Sequence, residues 1–505
     1  MCFRNVALPA VTALALLCSS VSYGQTAGCA TVPPINANGT FLSNFLNSCY
    51  TFTFPAGFTD GKNAGDLTET YAGFFYNVNP GYEVLIVGEF PQSRYLNIAA
   101  DDSHFYTQQS FYDAQLTPLS SSYVNPFLPG VTYQPNQLYA VALQFGGTQP
   151  ANIQAGCGYG AGLNFYANVV DGTKRHPGVS WNGSPLVYPG FPPHDDVGPN
   201  ISGMVTVRQY LNDTSSSAYS GLASPVAFVR DLSTGCAVPL ANAVANNPSN
   251  VPPSQVVTNN QTVATNWITP TAEQIWAHKA FRAMKPTFCY TLSSEVAQWF
   301  RPDIYIPNPN PDAAYLLANL APSALSWVIP NQGFMRIRFQ LPAMPSIPCQ
   351  GCSLTGLEQL RYFDLSFDDN NGVAMATIGA PNLVTDPNGN VNLIVGFGAA
   401  PPSWVTAANY YTYLNLSTLP AYKNLTTLDV RTVLPASTFA CSASAVNYKT
   451  SEGNSLGGVM GQYIPVVDVL QGSNIPQVAT PPTTPASCGL VPPESPYVCV
   501  AGVYP

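Results

Sequence analysis

The stretch RYFDLSFDD at residues 361–369 decides the fold of this chain, because it repeats RYLNIAADD at residues 94–102. In both copies apolar side chains alternate with others, which is the period of a β-strand that turns one face toward a core. A glutamine, Gln92 or Gln359, stands two residues before the arginine in each copy. The sequence therefore predicts the same strand twice, once in each of two related units.

Two further patterns recur in the same order. PNQLYAVALQFG at residues 135–146 and PNGNVNLIVGFG at residues 387–398 share their Pro-Asn start, their alternation and their Phe-Gly end. VRQYL at residues 207–211 is matched by VRTVL at residues 430–434. Short alternating segments bounded by proline and glycine indicate a mainly β fold, with two related antiparallel β-sandwich or jelly-roll domains and few helices.

The secondary structure follows from the same patterns. Asn371-Gly372 predicts a tight hairpin turn, because such a turn needs positive φ. Thr271 to Met284 is the best helix candidate, since Pro270 opens it and apolar side chains are available for packing. The other strand candidates are residues 83–87, 139–145, 204–210, 335–341, 391–397 and 428–434.

The N-terminus has the features of a secretory signal peptide: Arg4, then an apolar run from Val6 to Leu17, then small residues up to Gly24. No later run approaches the length that spans a bilayer, so we expect a secreted, periplasmic or cell-envelope protein. The predicted organisation is a signal peptide at 1–24, a first β-sandwich domain at 25–240, an Asn/Pro-rich linker at 241–268, a second β-sandwich domain at 269–475 and a Pro-rich C-terminal segment with a disulfide loop at 476–505.

The charge content limits the choice of partners. Only 9% of the 505 residues are charged and the net charge is −9. The longest basic cluster is Lys174-Arg175, so little counterion release is available and nucleic acid is excluded as a partner. A surface rich in neutral hydrogen-bonding groups leaves carbohydrate or envelope components as the candidate partners, with the oligomeric state undetermined.

Ten of the twelve cysteines follow the signal peptide, and an even number in an oxidising compartment predicts up to five disulfides. Connectivity does not follow from the sequence. Cys349 and Cys352 have redox-motif spacing, but without a βαβ context a structural disulfide is favoured. The candidate pairs are Cys29 with Cys49, Cys157 with Cys236, Cys349 with Cys352, Cys488 with Cys499, and Cys289 with Cys441.

Arginine recurs at matching places, at Arg94 and Arg208 in the first unit and at Arg361 and Arg431 in the second. The rigid fork of a guanidinium suits carboxylates, so we interpret these residues as structural ion pairs in preference to ligand contacts. The candidate pairs join Arg94 or Arg208 to Asp101 or Asp102, and Arg361 or Arg431 to Asp364 or Asp368.

Two of the four histidines stand beside carboxylates, which together can act as acid and base or bind a metal. The catalytic candidates are Asp101, Asp102, His104, His194 and Asp195. Of these, His104, His194 and Asp195 are the candidates for a divalent metal, and no other cofactor is predicted. His176 and His278 lack such neighbours. The spacing matches no recognised catalytic or metal motif.

The densest aromatic group is Tyr410, Tyr411 and Tyr413, a few residues after Trp404. Such rings can stack on sugars, because they combine flat apolar area with a hydroxyl group. Core and interface packing is the alternative interpretation.

The motifs QSRY at 92–95, NPF at 125–127, RYF at 361–363, VLP at 433–435 and MGQYIP at 460–465 resemble those of a group of uncharacterised exported bacterial proteins. Those proteins carry what resembles a duplicated jelly-roll domain of unknown function. Ile464 stands where that group has a tyrosine, and Leu96 where it has an aromatic residue. The resemblance implies the fold and export, and it supplies no catalytic residues.

The leading hypothesis is an exported β-sandwich protein without catalytic activity, which acts by binding at the cell envelope or outside the cell. The alternative is an extracellular hydrolase of carbohydrate polymers, with a His/Asp site in the first domain. A third hypothesis is self-assembly into an envelope layer. The sequence leans against an enzyme without deciding the question.

Overall fold

The computed structural model describes residues 52–53, 69–77, 81–102, 107–144, 167–171, 202–212, 225–232, 257–258, 261–262, 287–290, 296–301, 310, 312–345, 353–370, 373–446, 451–452, 459–482 and 498–501. The described residues are mainly β, in several antiparallel sheets, and include one α-helix. The predicted β-sandwich class is confirmed. The signal peptide and the predicted helix from Thr271 to Met284 lie outside the described residues.

The first half of the chain forms two sheets with the strand orders β1-β9-β3-β6-β7 and β2-β8-β4-β5. Neighbouring strands are antiparallel, except that β6 and β7 are parallel. The strands are β1 (Phe52–Thr53), β2 (Glu69–Asn77), β3 (Tyr82–Glu89), β4 (Ser93–Asp102), β5 (Thr107–Tyr112), β6 (Leu138–Gln144), β7 (Val169–Asp171), β8 (Ser202–Asn212) and β9 (Val226–Asp231).

The second half contains the remaining strands and one helix, α1. They are β10 (Val257–Thr258), β11 (Gln261–Thr262), β12 (Thr287–Tyr290), β13 (Ala297–Phe300), β14 (Ala313–Leu320), α1 (Pro322–Val328), β15 (Phe334–Gln340), β16 (Tyr362–Asp369), β17 (Ala374–Gly379), β18 (Asn390–Gly396), β19 (Thr412–Asn415), β20 (Leu425–Val433), β21 (Ser451–Glu452), β22 (Val466–Leu470) and β23 (Val498–Ala501). Its main sheets have the orders β17-β16-β20-β14-β13-β21 and β19-β18-β15-β22. Two smaller pairs are β10-β11 and β12-β23.

The sheets of the two halves match in strand order. β2-β8-β4-β5 corresponds to β14-β20-β16-β17, and β9-β3-β6-β7 corresponds to β22-β15-β18-β19. The pairing register matches as well. It shifts between β4 and β5 after Ala100 and between β16 and β17 after Phe367, and Ala100 and Phe367 occupy the same position of the sequence repeat. Most of the predicted linker, residues 241–268, lies outside the described residues, so the domain boundaries stay predictions.

Each half is a sandwich, because two of its sheets share one apolar core. In the first core, Leu96 and Ile98 of β4 pack with Ile86 of β3 and Val141 of β6. In the second core, Phe363 of β16 packs with Phe339 of β15, at a ring-centroid distance of 5.2 Å. Full burial of each such side chain contributes roughly 1.5–3 kcal/mol to folding.

The six strands predicted outside the first repeat appear as β3, β6, β8, β15, β18 and β20, within a few residues of the expected bounds. β16 and β17 pair antiparallel, as the hairpin prediction requires, although Asn371 and Gly372 lie outside the described residues. The sequence did not predict α1. Its seven residues are too few to show a helical period, and Pro322 at its start is the one local signal.

Candidate functional site: a buried polar junction between the sandwiches

One sheet of each sandwich has a second face that points away from its core. Alternate residues of β4 and β8 form this face in the first sandwich, and alternate residues of β16 and β20 form it in the second. The side chains are buried although many are polar: Tyr95, Asn97, Asp101, Thr206, Arg208 and Tyr210 in the first, and Tyr362, Asp364, Ser366, Asp368, Asp429, Arg431 and Val433 in the second. We call the contact between these two faces the junction.

Aromatic rings make the apolar part of the junction. Tyr95, Tyr210, Tyr362 and Val433 form one buried cluster. The Tyr210 ring lies edge-on to Tyr95 and to Tyr362, at centroid distances of 4.9 and 4.8 Å. Tyr362 is the repeat partner of Tyr95, and Val433 is the repeat partner of Tyr210. The same two sequence positions of each unit therefore meet at the junction.

A hydrogen-bonded network centred on Asp312 adjoins these rings. Asp312 Oδ2 lies 2.7 Å from the Tyr95 hydroxyl and accepts a hydrogen bond of 2.8 Å from Asn97 Nδ2. The Tyr95 hydroxyl is also 2.9 Å from Asn310 Oδ1, and Asn310 Nδ2 donates to the Tyr210 hydroxyl at 3.0 Å. Burial raises the pKa of Asp312, and the hydrogen bonds from Tyr95 and Asn97 oppose that rise. The network joins strands of the first sandwich to the segment before β14 of the second.

Asn97 also links this network to a buried cation. Arg208 Nη1 donates a hydrogen bond of 2.9 Å to Asn97 Oδ1, and Arg208 is fully buried. Burial raises the pKa of Tyr95 well above its usual value, the charge of Asp312 adds to the rise, and Arg208 opposes it. Tyr95 is thus a hydrogen-bond donor at neutral pH.

Arg361 crosses the junction to Asp113, which follows β5 of the first sandwich. Arg361 Nη1 lies 3.1 Å from Asp113 Oδ1, and the guanidinium lies over the Phe127 ring at 5.7 Å from its centroid. Asp113 also accepts hydrogen bonds from the amides of Leu96 and Ala114, at 2.9 and 2.7 Å. Burial raises the pKa of Asp113 to about 6, although Arg361 and these amides lower it.

The Asn-Pro-Phe segment builds this pocket. Asn125 Nδ2 donates to the carbonyl groups of Asp113 and Leu116, at 2.6 and 2.8 Å, and Asn125 Oδ1 accepts from the Phe127 amide at 2.8 Å. These bonds fix the loop that carries the Phe127 ring under Arg361. A few residues further on, the Gly130 amide donates to the Leu354 carbonyl of the second sandwich at 2.8 Å.

Arg94, the repeat partner of Arg361, is in a different situation. Its exposed fraction is 4%, and its Nε has no hydrogen-bond acceptor in the described part of the chain. Burial lowers the pKa of Arg94 to about 10, the charge of Arg361 lowers it further, and Tyr362 opposes the fall. Arg94 therefore lies within electrostatic range of a second guanidinium.

A group of buried carboxylates lies on the second sandwich's side of the junction. Burial raises the pKa of Asp368 well above its usual value, the negative charge of Asp429 adds to the rise, and Arg431 opposes it. Arg431 Nε is 3.9 Å from Asp364 Oδ2, and the guanidinium lies over the Tyr315 ring at 5.1 Å. Asp368 therefore favours its protonated, neutral form.

The structure places the arginines proposed for ion pairs as follows. Arg431 lies near Asp364, and Arg208 donates a hydrogen bond to Asn97. Arg361 forms an ion pair with Asp113, which belongs to the other sandwich. Asp101 is fully buried and accepts from Thr206 Oγ1 at 3.4 Å.

Most residues of the predicted His/Asp site lie outside the described part of the chain. His104, His194 and Asp195 lie outside it, as does the side chain of Asp102, so the His/Asp site stays a prediction. Within the described segments, no group of three or more His, Cys, Asp or Glu side chains is arranged to hold a metal ion. No helix among those segments has the length and apolar character needed to cross a membrane.

The aromatic group near Trp404 packs against the C-terminal segment. The Tyr411 hydroxyl donates to the Pro476 carbonyl at 2.8 Å, and Trp404 Nε1 donates to the Ile475 carbonyl at 3.3 Å. Tyr413 is partly buried against the same cluster, whereas Tyr410 is 38% exposed. The packing interpretation therefore accounts for three of the four rings.

The structure describes few of the cysteines. Cys441 is buried and disulfide-bonded. In the β12-β23 pair the backbone of Cys289 lies opposite that of Cys499. The proposed disulfide pairings stay predictions.

Sequence reasoning missed Asp113, Asn310 and Asp312. They belong to no repeated motif, since they lie in turns next to strands, and their partners include side chains of the other sandwich. One signal was available for Asp113: it stands 19 residues after Arg94, and the residue 19 after Arg361 is Ala380. A charged residue present in one copy and absent from the other marks a place where the two units differ.

No protein-family model matches this chain, and no curated protein matches it significantly. Among solved structures it is similar to an uncharacterised protein from Burkholderia cenocepacia, with 11% identity over 86% of this chain and 86% of that chain and a TM-score of 0.39. It is also similar to the VPA0106 protein from Vibrio parahaemolyticus, with 11% identity over 80% of this chain and 89% of that chain and a TM-score of 0.37. With such scores, neither protein supplies a residue role or an activity for this chain.

Proposed function

We propose that this chain is an exported, non-catalytic binding protein that acts at the cell envelope or outside the cell. The observation that supports the proposal is the Asp312 network, which ties the Tyr95 hydroxyl and the Asn97 amide of one sandwich to the other. Opening the junction would exchange these hydrogen bonds for bonds to water, at a net cost of about 0.5–1.5 kcal/mol for each bond, and would expose the tyrosine rings. The two sandwiches therefore form a rigid frame, which suits a preformed binding surface better than closure around a substrate.

The composition favours neutral polymers as partners. Only 9% of the residues are charged, so most of the polar side chains available for contacts carry neutral hydroxyl or amide groups. Such groups hydrogen-bond and stack on sugar rings without a strong charge preference. Carbohydrate and envelope components are the partners that this surface fits.

The proposal is tested by co-sedimentation of the mature protein with insoluble envelope polymers, with isolated peptidoglycan and cellulose as the probes. The supernatant is analysed for released fragments by mass spectrometry. We expect retention on one polymer and no soluble product. Release of oligosaccharides would overturn the proposal in favour of the hydrolase, and absence of retention on both polymers would contradict binding to envelope polymers.

A further inference from the structure

We propose that Arg94 anchors a binding site for a carboxylate-bearing ligand at the junction of the two sandwiches. The inference rests on the proposed binding function, because it names the chemical class of ligand and the residue that receives it.

The first argument comes from the register of the two units. β5 is followed directly by a 3-10 turn at Asp113–Gln115, and β17 is followed directly by a 3-10 turn at Ala380–Asn382. The β4-β5 and β16-β17 pairs carry their register shift at the same repeat position, so Ala380 is the counterpart of Asp113. Arg361 has the Asp113 carboxylate as its partner. Arg94 is the counterpart of Arg361, but the counterpart of Asp113 is Ala380, which has only a methyl group.

The second argument is the burial of Arg94. The side chain is 96% buried, since its exposed fraction is 4%, and no described residue accepts a hydrogen bond from its Nε. A buried guanidinium nitrogen without an acceptor is costly, because that N–H group loses water and gains no partner. A ligand that supplies the acceptor would remove this cost in the bound state only.

The third argument concerns the class of ligand. The planar fork of an arginine matches the two oxygens of a carboxylate. Arg361, at the corresponding position, is bound to a carboxylate at 3.1 Å, and its charge acts on Arg94 as well. An acidic sugar and the C-terminus of a peptide both present this group, so acetate, glucuronate and N-acetylalanine are suitable probes.

The experiment is a saturation-transfer NMR titration of the folded mature protein with each probe at neutral pH and constant ionic strength. We expect saturable binding of acetate and stronger binding of either glucuronate or N-acetylalanine, which distinguishes a sugar source from a peptide source. Arg94→Gln should weaken binding at least about tenfold, since it removes the charge and the fork. Arg301→Gln is the matched control: Arg301 donates to the Ser444 and Val446 carbonyls of the second sandwich, so its loss should leave binding unchanged.

Arg94→Lys is the second variant, for use if Arg94→Gln fails to fold. It keeps the charge and the apolar stem but loses the fork, so we expect weaker binding than in the wild type. In a parallel thermal melt, acetate should raise the wild-type Tm by about 2 °C over chloride at equal ionic strength. Equal binding by the wild type and the folded Arg94 variant would overturn the site, and tighter binding of inorganic phosphate than of any carboxylate would overturn the ligand class.

The two proposals fail in different ways. Retention on an envelope polymer without binding of any carboxylate probe would overturn the Arg94 site and support the binding function. Carboxylate binding without retention on any polymer would support the Arg94 site and contradict the envelope partner.

Discussion

Arg361 of the second sandwich lies 3.1 Å from Asp113 of the first, and Asp113 is fully buried. Asp113 also holds the Leu96 amide of β4, so this single carboxylate connects a strand of one sandwich to an arginine of the other. The pair differs from a surface ion pair, because removal of either partner strands a charged group away from water. The stability of the protein should therefore depend on the ionisation of Asp113.

The pKa of Asp113 predicts the sign of this dependence. Burial raises it from 3.8 to about 6, so the folded protein binds a proton more tightly than the unfolded chain. The stability that this proton gives is fully present below about pH 4 and is lost as the pH rises through about 6, by on the order of 3 kcal/mol. Asp113→Asn cannot titrate. The unfolding free energy of the wild type minus that of Asp113→Asn, measured by urea denaturation, should decrease as the pH is raised from about 4 to above 6. A difference that stays constant or increases over this range would contradict the assignment.

The Glu83–Arg230 pair predicts a non-additive double substitution. Both side chains are fully buried, and Glu83 of β3 faces Arg230 of β9. The corresponding pair in the second sandwich, Phe334 and Leu470, is apolar. Glu83→Phe alone should cost about 3–5 kcal/mol, because Arg230 is left without its carboxylate. The double variant Glu83→Phe/Arg230→Leu should recover most of that loss in denaturant titrations. If the loss of unfolding free energy in the double variant equals the sum of the losses in the two single variants, the pairing is contradicted.

The sequence predicted the sandwiches because their cores depend on local alternation. Leu96, Ile98, Phe363 and Leu365 lie at strand spacing, and each points into the core of its own unit. A period of two is visible in any short window of sequence. The repeated glycine, proline and asparagine signals then separate one strand from the next.

The junction could not be predicted in the same way. Asp113 and Arg361 are 248 residues apart, and no periodic pattern relates residues of two different sandwiches. The repeat itself favoured pairs within one unit, which is why Arg361 was matched to Asp364 or Asp368. The contact depends on how two polar sheet faces meet, and that is a property of tertiary packing.

The Tyr95 hydroxyl gives a direct test of the junction network. Tyr95→Phe removes the group that lies 2.7 Å from Asp312 and leaves the ring packing against Tyr210 in place. We expect a loss of about 1–3 kcal/mol in unfolding free energy, because the partly buried Asp312 carboxylate loses a donor. Tyr112→Phe is the matched control: Tyr112 packs against the same cluster, and its hydroxyl is not among the described groups that contact Asp312. Its effect should stay within about 0.5 kcal/mol, and equal losses for both variants would argue against the network.

The carboxylates beside Arg431 predict a dependence of stability on pH that has the same sign as that of Asp113. Burial and the negative charge of Asp429 raise the pKa of Asp368 well above its usual value, so the folded state favours the protonated form. Stability from this group is lost as the pH rises through the folded pKa. Asp368→Asn keeps the neutral form at every pH, so its Tm relative to wild type should increase as the pH rises above the ordinary range of an aspartate carboxyl. Thr427→Val alters the cross-strand neighbour of Asp368 without a titrating group, and its effect on Tm should not vary with pH. If the Tm of Asp368→Asn relative to wild type does not vary with pH, as is expected for the Thr427 variant, the prediction is wrong. Asp368 would then be ionised in the folded protein, because the charge of Arg431 outweighs both burial and the charge of Asp429.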